Sequence, residues 1–142
     1  MILNLRLKKV TKTDCPFLYE LLSQREAQVN ISHKKMPSYD KHVKFVMSKP
    51  YSKWYIVQLK NEKVGSIYLS KQNEIGIFLK NDIQGKGIGK KALKLLMKHN
   101  PRSRYLANIN PKNKKSIEFF QKNGFKLIQH TFELIDSSKA NY

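Results

Sequence analysis

Gln84-Gly85-Lys86-Gly87-Ile88-Gly89-Lys90 joins a strand-like segment to a helix-like one. Before it, Glu74-Ile75-Gly76-Ile77-Phe78-Leu79 has the apolar, β-branched content of a strand. After it, a helix is predicted over about Ile88 to His99, and Pro101 cannot continue it. Such a junction is an anion cradle. Glycines let the backbone turn tightly and approach a ligand without a Cβ in the way. The amides that open the helix lack intrahelical acceptors and point outward, where the helix dipole adds positive potential. Lys86 and Lys90 add whole charges, so a pyrophosphate is the natural occupant. The nucleoside-triphosphate loop, G-x-x-x-x-G-K-[ST], is absent. The dinucleotide fingerprint G-x-G-x-x-G fails at its third glycine, where Lys90 stands, and no repeated βαβ pattern precedes it.

Working outward, Ile2, Leu5 and Leu7 alternate with polar residues as in a first strand. Thr13 and Asp14 can cap a helix, Pro16 suits its first turn, and Phe17, Leu18, Leu21 and Leu22 follow at helical spacing. A loop over Ile31 to Ser38 leads to a second helix, Tyr39 to Ser48, which Pro50 ends. Trp54 to Leu59 and Val64 to Leu69 read as a hairpin around Lys60-Asn61-Glu62-Lys63. Downstream, Tyr105 to Ile109 reads as a strand and Asn113 to about Lys122 as a helix, stopped by Asn123-Gly124. Phe125 to Leu134 reads as a last long strand, before a polar tail from Asp136. The order β-α-α-β-β-β-α-β-α-β predicts an α+β fold, with helices packed on a mixed sheet.

The 142 residues suit one domain, taken here as residues 1–142. The lone Cys15 excludes an internal disulfide and a cysteine metal site. The start, Met1 to Val10, lacks the apolar run of a signal peptide, and no segment reaches the roughly 18 apolar residues of a membrane span. A cytoplasmic protein without membrane attachment is the expectation. The net charge of +18 invites an acidic partner. Lysine outnumbers arginine 24 to 4, however, and arginine is what base and bidentate phosphate recognition prefers. A solvated lysine-rich surface, of the kind A/T-rich codons produce, accounts for most of the charge without nucleic acid.

Gln84-x-x-Gly87-x-Gly89 resembles the Q/R-x-x-G-x-G/A signature of the GNAT superfamily of acyl-CoA-dependent N-acetyltransferases. Asn113-x-x-Ser116-Ile117-x-Phe119-Phe120-x-Lys122-x-Gly124-Phe125 is similar to the second motif of that family. The resemblance is close over the C-terminal half and extends to the N-terminal half only by element order. It implies a mostly antiparallel sheet whose central strands splay apart, with acetyl-CoA in the gap as acyl donor. The backbone of Ile77, Phe78 and Leu79 would pair with the pantetheine arm, and the Leu79 amide is the candidate oxyanion donor. Gln84, Gly85, Lys86, Gly87, Ile88, Gly89 and Lys90 would hold the pyrophosphate, with Asn113 and Ser116 close to the cofactor. Direct transfer to a primary amine requires removal of a proton from the incoming ammonium. Glu74 is the candidate base, with His33 and His42 as alternatives. Many members place a tyrosine acid where this chain has Phe120, which cannot donate a proton.

By the same resemblance the acceptor is a small-molecule or peptide amine, bound by the first helices, their loop and the hairpin. His33, Tyr39, His42 and Trp54 are the candidate contacts. The basic, aromatic loop Ile31 to Tyr39 would suit a nucleotide-linked amino sugar. Two other readings remain at this point. One is an acyl-CoA-binding domain with weak or no catalysis, on account of Phe120. The other is a basic nucleic-acid-associated module. Pairing into a homodimer through strand edges is a further expectation.

Overall fold

The computed structural model describes residues 4–28, 36–136 and 138. One antiparallel sheet runs in chain order through β1 (Leu5–Lys9), β2 (Lys53–Leu59), β3 (Glu62–Leu69) and β4 (Ile75–Leu79). The helices are α1 (Cys15–Gln28), α2 (Tyr39–Met47), α3 (Ile88–His99) and α4 (Lys114–Lys122). The α+β class holds, and the ordering of local signals explains it. Ser38 caps α2 by accepting from the Lys41 amide at 3.3 Å, and Asn113 caps α4 by accepting from the Ser116 amide at 3.2 Å. The β2–β3 turn is tighter than the four residues Lys60 to Lys63, because Glu62 and Lys63 already pair with Leu59 and Gln58. Lys60 and Asn61 both take positive φ, 52° and 67°, the two-residue geometry that matches strand twist.

The sheet has two apolar faces, and β2 divides its side chains between them. Tyr55 and Val57 join Ile67, Leu69 and Ile75 against Ile88, Ala92, Leu93 and Leu96 of α3 and Phe120 of α4. Ile56 faces the other way, onto Cys15 and Leu18 of α1 and Val46 of α2. Side-chain alternation along one strand therefore builds two cores. Asn100 ends α3 and donates to Tyr55 Oη at 3.1 Å, tying the helix end to the centre of the sheet.

Asp14 is a buried carboxylate at the start of α1. Lys8 from β1 and Lys63 from β3 reach it at 2.9 and 2.7 Å, and the Thr11 amide donates to it at 2.8 Å. Burial pushes its carboxyl pKa up, but the Lys63 contact, the Thr11 amide and Lys8 together outweigh burial and hold it below the usual value. Two strands and a helix are thereby joined through one side chain. His42 of α2 is buried beside Tyr19, and burial lowers its pKa, so it folds as the neutral imidazole.

Two expected strands behave otherwise. Residues 105–109 make only one bridge to the sheet, a parallel one between Leu106 and Glu74. Residues 125–134 are not a strand of this sheet. After Gly124 (φ 92°) closes α4, Phe125 still packs on Phe120, with ring centroids 5.0 Å apart. Beyond it the chain runs out exposed, with Phe132 91% and Leu134 95% accessible. An alternating sequence states that a segment can pair; it does not state with what. Among the described residues no helix is long and apolar enough to cross a membrane.

Asp14→Asn removes the charge that both lysines neutralise. It should lower unfolding stability by about 2–4 kcal/mol in chemical denaturation, the lysines being free to turn to solvent. Because the Asp14 pKa is depressed in the folded state, its contribution is full above about pH 4 and lost as pH falls below that value. The His42 contribution, from a lowered imidazole pKa, is full above about pH 6.5 and declines as pH falls below it. Denaturation of His42→Gln across that range should show a flatter pH slope than the parent.

Candidate functional site

A cleft of about 640 Å³ opens between β4, the Gln84–Lys90 loop, α1 and α4. Its floor is Ile77, Phe78 and Leu79, and its rim carries Gln84, Gly85, Gly87, Gly89 and Lys90. Backbone parity decides what the floor offers. The Lys80 amide bonds the Val64 carbonyl on β3 at 2.9 Å, whereas the Ile75 amide points the other way, to the Leu106 carbonyl at 2.7 Å. Strand alternation turns the amides of Ile77 and Leu79 to the same side as that of Ile75. There the neighbouring chain has left: beyond Ile75 no partner strand pairs that edge among the described residues. Two backbone amides thus face the cleft. Phe78 pairs with Ser66 of β3, so its amide is turned into the sheet and not toward the open edge.

Gly85 and Gly87 adopt φ of 82° and 77°, the left-handed region that strains other residues, and Gly87 is the N-cap of α3. The Gln84 side chain donates to the Leu79 carbonyl at 3.3 Å and ties the loop to the end of β4. Gly89 is needed for a different reason. A Cβ there would lie 3.1 Å from the Phe119 ring, so glycine lets α3 and α4 close on each other at the cleft. Ile88 and Lys86 do not line the cleft. The Ile88 side chain is buried in the core, so only its amide is available, and Lys86 is exposed on the turn.

Asn113 and Ser116 line the opposite wall, with Asn113 Nδ2 donating to Ser116 Oγ at 2.8 Å. Asn113 therefore caps α4 and faces the cleft at once. Phe120 points into the core, against Phe119 and Phe125. Glu74 sits at the head of β4 with both carboxylate oxygens engaged, by Ser70 Oγ at 3.0 Å and by Asn108 Nδ2. It holds residues 105–109 to the sheet and is not among the cleft-lining residues.

The acceptor candidates divide. His33 lies outside the described residues. Tyr39, His42 and Trp54 do not line the cleft. Tyr39 packs edge-on against Tyr19 and borders a separate depression with Lys12, Cys15 and Lys44. Trp54 belongs to an aromatic row that does reach the cleft: Trp54 meets Tyr51 at 4.9 Å, Tyr51 stacks on Tyr68 at 3.8 Å, and Tyr68 meets Phe78 at 6.3 Å. Burial pushes the Tyr51 and Tyr68 hydroxyl pKa values up, so both remain protonated donors near neutral pH.

Arg25 carries no motif that would single it out in the sequence. Its guanidinium lies 4.2 Å over the Phe78 ring and lines the cleft. Its Nε is buried without a hydrogen-bond partner, and no carboxylate pairs with it among the described residues. Only contact with the far side of the sheet could have revealed it. The free strand amides run into helix-opening amides beside Lys90, which suits an extended ligand bearing phosphates at one end, and the uncompensated guanidinium stands apart from that track on the α1 side.

A family model described as an acetyltransferase (GNAT) domain matches residues 4–126. No curated protein sequence matches the chain. Among solved structures, a domain from Methanocaldococcus jannaschii DSM 2661 superposes with a TM-score of 0.79 at 25% identity, over 91% of this chain and 92% of that one. An acetyl transferase from Salmonella typhimurium that modifies the N-terminal serine of ribosomal protein L7/L12 gives 0.69 at 24% identity, over 87% and 81%. The yncA protein of Salmonella typhimurium, solved with its cofactor acetyl-CoA, gives 0.70 at 17% identity, over 86% and 79%. Matched by the family model over most of its length, the chain belongs to the GNAT acetyltransferase family and is an acyl-CoA-dependent N-acyltransferase.

Proposed function

We propose that this protein transfers an acetyl group from acetyl-CoA to a primary amine on a molecule that also carries negative charge. The carrying observation is the row of donors along one cleft: the Ile77 and Leu79 amides on the free edge of β4, continuing into the amides at the start of α3. A pantetheine arm has amides to pair with a strand edge, and a pyrophosphate has oxygens to accept from a helix N-terminus. In this reading Gly85 to Lys90 hold the pyrophosphate and Asn113 and Ser116 flank the arm. The Leu79 amide points at the thioester oxygen, where negative charge develops as the amine attacks. The amine nitrogen forms the new bond to the carbonyl carbon, the C–S bond breaks, and the thiolate leaves.

Proton removal is assigned to Glu74, acting through water, because it is the carboxylate at the head of β4, held in place by Ser70 and Asn108. Phe120 offers no acid to the thiolate. The one hydroxyl among the described cleft-lining side chains is that of Ser116, whose oxygen accepts from Asn113 and leaves its own proton free to donate.

The acceptor would enter past α1, where Arg25 waits without a counter-charge on the Phe78 ring. A diphosphate-linked amino sugar fits this, with its phosphates on Arg25 and a ring against the aromatic row. A protein N-terminus beside acidic residues offers the same chemistry, and a relative with this fold acts on a protein N-terminus. A polyamine does not fit, because like charges repel.

Calorimetry at moderate salt should give micromolar binding of acetyl-CoA and weak binding of ATP. Gly87→Glu should weaken acetyl-CoA at least about tenfold by placing a side chain and negative charge in the cradle. Equal, salt-labile binding of acetyl-CoA and ATP would reduce the loop to part of a basic surface. Binding without turnover over a panel of amines would leave an acyl-CoA-binding domain. In steady-state kinetics Arg25→Ala should raise KM for an anionic acceptor about 10–100-fold and leave acetyl-CoA affinity unchanged. An unchanged KM would remove Arg25 from acceptor binding.

A further inference from the structure

Gln24 Oε1 and Arg25 Nε are both buried, and neither meets a hydrogen-bond partner among the described residues. The two residues are neighbours on α1, and with Leu21 they form the stripe of that helix that lines the cleft. Unpaired buried polar atoms are costly to a folded chain and rare in one. His42 Nε2 and Trp54 Nε1 are also unpaired, but neither residue lines the cleft. At the cleft the missing partner has a natural identity, since a ligand is what a cleft admits.

The two deficits have opposite sense. Arg25 lacks an anion, which the acceptor brings in the reading above. Gln24 lacks a donor, because a side-chain carbonyl oxygen can only accept. The acyl donor already has its partners elsewhere: the Ile77 and Leu79 amides on the open edge of β4, and the amides that open α3. Gln24 stands on the other wall, next in sequence to the guanidinium that lies over Phe78, and Phe78 sits between Ile77 and Leu79. The group that must reach this place carrying hydrogens on nitrogen is the attacking amine.

We propose that Gln24 is a further catalytic residue: its Oε1 accepts one N–H of the acceptor nitrogen and turns the lone pair of that nitrogen toward the thioester carbonyl carbon. The inference rests on the acetyl-transfer reading of the cleft. A neutral amide oxygen suits the task better than a carboxylate, which would stabilise the ammonium and oppose the loss of its proton. Gln24 itself gains and loses no proton. One hydrogen of the ammonium leaves through water toward Glu74 before the attack. A second leaves the nitrogen as the C–S bond breaks and ends on the thiolate. The last stays on Oε1 as the N–H of the amide product. A secondary amine would have to give up that bond to form product, so Gln24 also favours primary amines.

Two non-transferable thioethers of CoA test this, each with a methylene between the sulfur and a carboxamide. One ends in an N-methyl amide and the other in an N,N-dimethyl amide, so only the first offers an N–H to Gln24. Calorimetry on the parent protein should show the first binding about tenfold tighter. Gln24→Met keeps the length of the side chain and removes the oxygen. It should shrink that preference at least about fivefold and leave acetyl-CoA affinity unchanged. The melting temperature of ligand-free Gln24→Met should stay level or rise, since the oxygen removed had no partner; a structural role would lower it and overturn the proposal. No preference in the parent, or the same preference in Gln24→Met, also overturns it. Weaker acetyl-CoA binding by Gln24→Met would assign Gln24 to the cofactor instead. A parent that does not bind acetyl-CoA at all would overturn the acetyl-transfer reading, and this inference with it.

Discussion

Two backbone hydrogen bonds, from Ile75 to Leu106 and from Leu106 to Asn73, hold residues 105–109 to the sheet, and the functional face depends on their being the last. One residue further along, β4 loses its neighbour. Backbone donors left unpaired inside a folded protein are costly unless something else accepts from them. Here the cost falls on Ile77 and Leu79, where the cleft opens. The sheet elsewhere is paired strand to strand, so the gap is local. Glu74, through Ser70 and Asn108, fixes where the divergence begins. The two-sided core then keeps the edges of the gap rigid, α3 and α4 packing on one face and α1 and α2 on the other.

The lysine excess becomes less informative once the fold is known. Lys94 and Lys98 are exposed along α3 as a solvated face, and of that lysine row only Lys90 lines the cleft. The charge that matters most at the cleft is a single arginine. Arg25 is held over Phe78 without a carboxylate beside it, so it keeps its full field for a ligand. A planar guanidinium on an aromatic face retains its in-plane donors, which a solvated lysine would spend on water.

Much of this was legible in the sequence because it is local. The glycine loop, the start of α3, the Asn113 cap and the Asn123-Gly124 stop are set by residues within a turn of one another. Phe120 was legible as a departure from the family motif, although only packing shows that its ring belongs to the core. What the sequence withheld is nonlocal. Alternation marked residues 105–109 and 125–134 as extended but could not supply their partners. Arg25 gained a role only when α1 crossed the sheet beside Phe78, and Trp54 proved to join the cleft through Tyr51 and Tyr68. Tyr39 and His42, attractive as polar aromatics, went into the packing of α2 against α1.

The central claim is that the unpaired edge of β4 and the start of α3 form one ligand track. Titration of ¹⁵N-labelled protein with acetyl-CoA, followed by amide NMR, tests it most directly. The account predicts large shifts at Ile77, Leu79 and Gly85 to Lys90, with a much smaller change at the Phe78 amide, which faces β3. Shifts confined to surface lysine-rich segments, or equal shifts along both edges of β4, would contradict it.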